Sequence, residues 1–186
     1  IAPSFDSDAL KALEEKQNIR VIEMDGCEKH IVDYSVQTID GGFLIQEGDE
    51  KTIDRQDIDI VTLRQPEDAE IKDMLFAWKV VKYVKSNAIV FARQQQTIGI
   101  GAGQMSRVMS AKIASLKAAS ANLHTKNCVM ASDGFFPFKD SIEMAADYGI
   151  SCVIQPGGSI RDDEVIAAAD EHNLVMGFTG IRHFKH

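Results

Sequence analysis

Beyond Pro66, short apolar runs alternate with stretches of helical period, and few architectures accept that order. Ile71, Met74, Leu75, Trp78, Val81 and Val84 recur at the spacing of one helix face. Residues 88–92 and 97–102 read as two strands around the polar turn 93–96. Met105, Val108, Met109, Ile113 and Leu116 then mark a helix that opens near Gln104. Three further strands, 127–131, 150–155 and 174–178, are separated by helices over 140–148 and 162–172. Gly149 stands where the first of these needs a left-handed residue to stop it. Strands interleaved with helices imply a layered α/β domain with a mostly parallel sheet. Ligands collect at the carboxyl ends of such strands. The loops 132–140, 155–161 and 179–186 are therefore where a site is expected.

Ahead of Pro66 the pattern is weaker. Asp6 or Ser7 caps a short helix over 8–16, and residues 19–24 alternate as a strand would. Residues 34–39 and 43–46 flank an Asp40-Gly41-Gly42 turn and read as a hairpin. Residues 47–59 are acidic and polar, and Pro66 with Glu67, Asp68 and Glu70 marks a new helix start. The natural division is 1–65 and 66–186.

A net charge of −8 over 186 residues argues against a broad nucleic-acid surface. Cys27, Cys128 and Cys152 are odd in number and widely spaced, which points to reduced thiols and a cytoplasmic setting. No apolar run reaches transmembrane length. His30, His124 and His172 lack metal-ligand spacing, and Met74, Met105, Met109, Met130 and Met144 read as core fillers.

Local features select candidate residues. Asn87 precedes a buried strand, where its carboxamide can donate and accept. Arg107 lies in the first helical turn after Gly99-Ile100-Gly101-Ala102-Gly103, a corner with free N–H groups and a positive dipole end. Those glycines lack dinucleotide spacing and fit close packing of a strand against a helix. Phe135, Phe136 and Phe138 crowd a loop that should be polar, either plugging the core or walling an aromatic ligand. The segment 155–162 is a turn with an N-cap or a source of backbone N–H groups for a ligand. The basic ending 179–186 has Phe184 as an anchor and Arg182 to suit a phosphate.

Taken in order, Lys85-Ser86-Asn87-Ala88-Ile89-Val90, 99–108, 131–140, 155–162 and the 182–186 ending resemble the formyltransferase part of the bifunctional purine biosynthesis proteins, which is fused to an inosine monophosphate cyclohydrolase. The resemblance implies two cytidine-deaminase-like subdomains without zinc. Residues 1–65 would end the first, with its connecting hairpin, and 66–186 would form the second, a three-layer unit on a mixed sheet. It implies a cytoplasmic homodimer with shared active sites. The reaction would move a formyl group from 10-formyltetrahydrofolate, a reduced folate, to the 5-amino group of the AICAR nucleotide (aminoimidazole carboxamide ribonucleotide).

On that resemblance, Asn87, Arg107, Phe135, Arg182 and His186 hold the nucleotide, and Val108, Pro137, Phe138 and Asp140 line the folate pocket. Val81, Val84, Ser86 and Asp133 match the positions at which some members bind potassium. The family's catalytic Lys-His block would lie ahead of Ile1, and Lys29-His30 lacks its flanking pattern. The expectation is a fragment with no catalytic pair of its own and little turnover. The alternative is a separately made binding or dimerisation module, distinguished by what precedes Ile1. A zinc deaminase on a related fold lacks its His/Cys ligand set here.

Overall fold

The computed structural model describes residues 1–16, 18–26 and 34–185. Lys29, His30 and His186, all weighed above, lie outside the described residues. The chain forms two compact units, Ile1–Glu50 and Lys51–His186. The larger therefore begins ahead of the Pro66 break.

In the smaller unit, α1 (Ser7–Glu14) is capped by Asp6, whose carboxylate accepts from the N–H groups of Asp8 and Ala9 at 3.0 and 2.7 Å. The hairpin β1 (Tyr34–Ile39) and β2 (Gly42–Glu47) forms as read, in antiparallel register from Tyr34↔Glu47 to Ile39↔Gly42. The expected strand over 19–24 does not. It is reduced to one parallel bridge, Ala2↔Glu23, with Ile19, Ile22 and Met24 exposed. Two single strands with no third neighbour bury too little apolar surface to extend the ladder.

In the larger unit six strands pair in the order β3-β8-β7-β6-β4-β5. They are β3 (Asp59–Ile60), β4 (Ile89–Arg93), β5 (Gln96–Gly101), β6 (Val129–Ser132), β7 (Cys152–Gln155) and β8 (Val175–Phe178). The sheet is mixed, as expected, but its parallel part is confined to β6-β7-β8. Strand β4 runs antiparallel to both β5 and β6, and β3 antiparallel to β8. Alternate residues face opposite layers. Ile89, Phe91, Met130, Val153 and Met176 pack on the side of α3 (Arg107–Ser120), α4 (Asp140–Asp147) and α5 (Asp162–Glu171). Val90, Ala92, Ala131, Ile154 and Val175 pack on the side of α2 (Asp68–Val81). This strict period of two, with both faces apolar, is what a helix–sheet–helix sandwich requires.

Helix α2 buries Ile71, Met74, Trp78 and Val81, the face read from its spacing. Arg64 clamps its start, giving Glu70 two hydrogen bonds at 2.7 and 2.9 Å and the Ser151 carbonyl one at 3.0 Å. Burial alone would raise the Glu70 carboxyl, but the hydrogen bonds from Arg64 and the Glu67 backbone outweigh it and hold it below its ordinary 4.5. Gln94 and Gln95 turn the β4–β5 hairpin with positive φ, and the Asp73 carboxylate accepts both their N–H groups at 2.8 and 2.7 Å. Gly149, at φ +71°, follows α4 as expected.

Helix α3 departs from its reading. It buries Ser110, Ala111, Ala114 and Ala118, while Met105, Val108, Met109 and Leu116 are exposed. A Cβ on Gly99 or Gly101 would run into the backbone carbonyls of Ala114 or Ser110. The glycines thus let α3 lie directly on β5, and only small residues fit the seam. Met105 and Met109 are consequently surface residues, not core fillers; Met74 and Met130 are buried and Met144 partly so.

Candidate functional site

Because β4 is antiparallel to β6, the start of β4 and the ends of β5, β6, β7 and β8 lie at one edge of the sheet. Asn87 precedes β4, yet it joins the loops that follow the other strands. The N-termini of α3, α4 and α5 open at the same edge, so three positive dipole ends face it.

Asn87 is tightly held. Its backbone N–H and its Nδ2 both donate to the Gln104 carbonyl, at 3.2 and 3.0 Å, and its carbonyl accepts from Ser110 Oγ at 2.7 Å. The side-chain oxygen is left to accept from a ligand. Arg107 is the first residue of α3, where a cation gains nothing from the dipole. Its guanidinium is fixed instead by Ser132 Oγ, which accepts from Nε at 3.1 Å, and by Asp133 Oδ1, which accepts from Nη2 at 3.0 Å. Asp133 is fully buried, and its Oδ2 has no hydrogen-bond partner among the described residues. Gly134 completes the clamp, because a Cβ there would overlap the guanidinium. The other N–H groups of Arg107 have no hydrogen-bond partner among the described residues.

A hollow of about 460 Å3 opens beside these groups. Asn87, Arg107, Val108, Pro137, Phe138 and Asp140 all line it, with Met105, Ser106 and Ser141. A second hollow, about 360 Å3, is lined by Phe135 and Arg182 with Pro156, Gly157, Gly158 and Gly180. The nucleotide set read from the sequence is thus divided: Asn87 and Arg107 share a hollow with the folate set, and Phe135 and Arg182 share another. The segment Ser132–Asp133–Gly134 links the two. Its side chains hold Arg107, and the Asp133 carbonyl accepts the His183 N–H at 3.1 Å, next to Arg182.

The three loop phenylalanines divide between the two readings. Phe136 is buried in the core, its N–H donating to Gln155 Oε1 at 2.9 Å, whereas Phe135 and Phe138 line hollows. In the loop after β7, the Asp162 carboxylate takes the N–H groups of Gly158 and Ser159 at 2.7 and 3.1 Å. That loop is a turn with a cap, and those two N–H groups do not serve a ligand. The basic ending is anchored by His183, buried with its ring 4.9 Å from that of Trp78, and not by Phe184, which is exposed beneath Arg182. Lys185 and Ser86 tie the ending to the β4 side: Ser86 N–H donates to the Lys185 carbonyl at 2.8 Å and Ser86 Oγ accepts the Lys185 N–H at 3.2 Å. Ser132, Gly134 and His183 were not singled out from sequence; small and aromatic residues carry no signal until their neighbours are known.

Among the described residues no three His, Cys, Asp or Glu side chains gather as metal ligands would. Of the four potassium candidates, Val81 is buried with its carbonyl accepting the Val84 N–H at 3.0 Å, and Ser86 and Asp133 are placed as above. The unmatched Oδ2 of a buried carboxylate fits a cation. Burial pushes the thiol of Cys128 up to about 11 and that of Cys152 to about 12, so neither is poised as a nucleophile.

Fold and hollows define a three-layer α/β unit that gathers polar and flat apolar groups at one sheet edge. The model of the AICARFT/IMPCHase bienzyme family matches residues 1–117, more than half of the chain, and the chain belongs to that family. The match includes Asn87, Arg107 and Val108; the loops from Phe135 to Arg182 follow it. A solved structure, a diaminohydroxyphosphoribosylaminopyrimidine deaminase/5-amino-6-(5-phosphoribosylamino)uracil reductase from Thermotoga maritima, is similar at 13% identity over 55% of this chain. This chain spans 33% of that one, and the TM-score is 0.37, too low to carry an argument. No helix among the described residues is long and apolar enough to cross a membrane.

Proposed function

We propose that this chain supplies the substrate-orienting part of a formyltransferase acting on the AICAR nucleotide with 10-formyltetrahydrofolate. The observation that carries the reading is the convergence on one hollow of Asn87 and Arg107, read from local chemistry and from resemblance, with Val108, Pro137, Phe138 and Asp140, read from resemblance. In the reaction the amino nitrogen attacks the formyl carbon, and the formyl oxygen takes up negative charge. Collapse breaks the bond to folate nitrogen, which gains a proton as the amine loses one. The amine is conjugated with a carboxamide-bearing ring, so orientation and charge stabilisation matter more than intrinsic nucleophilicity.

Arg107 and the Asn87 side-chain oxygen offer a donor and an acceptor, which suits the nucleotide's carboxamide. Val108, Pro137 and Phe138 wall the folate, with Asp140 at the start of α4. Phe135 stacks on the imidazole and Arg182 takes the phosphate in the second hollow, and His186 closes the site. One nucleotide then reaches both hollows across Gly134. Potassium, where it is bound, has Asp133 Oδ2 as its anionic ligand, with Val81, Val84 and Ser86. Among the described residues, neither hollow is lined by a His or Lys. The exposed Met105 at the first hollow, with the exposed Met109 and Leu116 further along α3, suits a second subunit that shares the site. The smaller unit belongs to a first subdomain of the same kind.

Calorimetric titration of the chain with the nucleotide and with tetrahydrofolate tests the reading. Binding of both, weakened for the nucleotide in Gly134→Ala, is expected. Binding of neither ligand sinks it. A second reading is binding without turnover, and a formyl-transfer assay on the same sample separates the two.

A further inference from the structure

We propose that Arg161 selects the anionic tail of the ligand seated in the first hollow. This rests on the folate reading of that hollow. Fractional exposure rises along its wall, from 16% for the Arg107 side chain to 38% for Val108 and 49% for Phe138. The polar clamp therefore lies at the floor, the flat apolar wall in between, and Phe138 at the mouth. Arg161, with a side chain 54% exposed, places its guanidinium carbon 4.9 Å from the Phe138 ring centroid.

A guanidinium held over an aromatic face keeps its N–H donors pointing outward in its own plane. It can stack and still form a forked pair with a carboxylate. The one carboxylate now on Arg161 is Glu164, through a single contact of 3.3 Å on the exposed first turn of α5, a weak competitor. Of the neighbouring acids, Asp162 caps the Gly158 and Ser159 N–H groups, and Glu143 pairs with Lys139 at 2.8 Å. A reduced folate has the matching order of parts, a polar ring system, a flat benzoyl group and a glutamate with two carboxylates. The ring system belongs against Val108 and Pro137, beside the nucleotide on the clamp, and the glutamate emerges past Phe138 beside Arg161.

The test compares tetrahydrofolate with tetrahydropteroate, which has the same rings and no glutamate, by calorimetry on the whole chain. The wild type should favour tetrahydrofolate by roughly fivefold at low salt, the scale of one partly exposed ion pair, and lose that preference as salt rises. Arg161→Ala should bring the two affinities together by weakening tetrahydrofolate alone. Glu164→Gln should widen the preference by removing the competitor. A preference that survives Arg161→Ala, or an equal loss for both ligands, overturns the assignment of Arg161. A wild type that binds both ligands equally also overturns it and leaves the folate reading standing. A wild type that binds neither removes both.

Discussion

Replacing Arg107 by Ala would strip from Asp133 the one cationic side chain paired with it among the described residues. Asp133 is fully buried, its Oδ1 bonded to Arg107 at 3.0 Å and its Oδ2 without a partner among the described residues. Arg107 is itself only 16% exposed, so the pair is little screened by water. Removing one partner of such a pair costs about 3–5 kcal/mol, because the remaining charge stays in the interior. A domain's whole stability is about 5–15 kcal/mol, so Arg107→Ala should lower the urea midpoint severely and can leave the unit partly unfolded. Asp133→Asn in the same background removes the stranded charge while keeping the shape. The double variant should therefore recover about 2 kcal/mol over Arg107→Ala alone, a coupling within the range for neighbours that share one network. Urea unfolding of the four proteins, followed by Trp78 fluorescence, closes the cycle. Costs that simply add, with coupling below about 0.5 kcal/mol, would refute the clamp, since independent sites behave that way. Repeating the cycle in high salt should change little, because a buried pair is weakly screened.

Gly134→Ala displaces the Arg107 guanidinium without removing it, and so weakens the Asp133 pair as well as the positioning. The new methyl meets the end of a long side chain and not backbone, so the chain should fold, but Arg107 must leave its place. Nucleotide affinity should fall about 10-fold or more, as for loss of a charge-assisted hydrogen bond of about 1.5–3 kcal/mol, with the circular dichroism spectrum unchanged. Unaltered affinity would show that the clamp does not matter to the ligand. Glu70 gives a pH signature. Its folded value lies below the ordinary 4.5, so the stability it contributes is present above that pH and is lost as pH falls through the folded value. Glu70→Gln should lose stability at neutral pH and show a flatter decline in acid, read from urea midpoints at several pH values; curves that stay parallel to wild type would exclude this role.

The layered α/β character, the hairpin at 34–47 and the buried face of α2 were all legible in the chain, because each depends on spacing along a single element. Period two and period three to four are properties of one strand or one helix, and Gly149 stops α4 through its own backbone. The face of α3 was not legible. Its large residues name one side by hydrophobicity, but the gap beside β5 admits only Ser110, Ala111 and Ala114, and the width of that gap is set by Gly99 and Gly101 on another element.

The candidate site divides in the same way. Asn87, Arg107 and the folate-side residues could be selected by their chemistry and by resemblance, since residue type and order along the chain are sequence properties. That they share one hollow, while Phe135 and Arg182 share another, followed from the direction of β4. Whether a strand runs up or down a sheet depends on pairing with strands far away in sequence, and no local pattern encodes it. The same holds for Ser132, Asp133 and Gly134 beneath Arg107. A serine, an aspartate and a glycine become a clamp only when the fold lays a guanidinium across them.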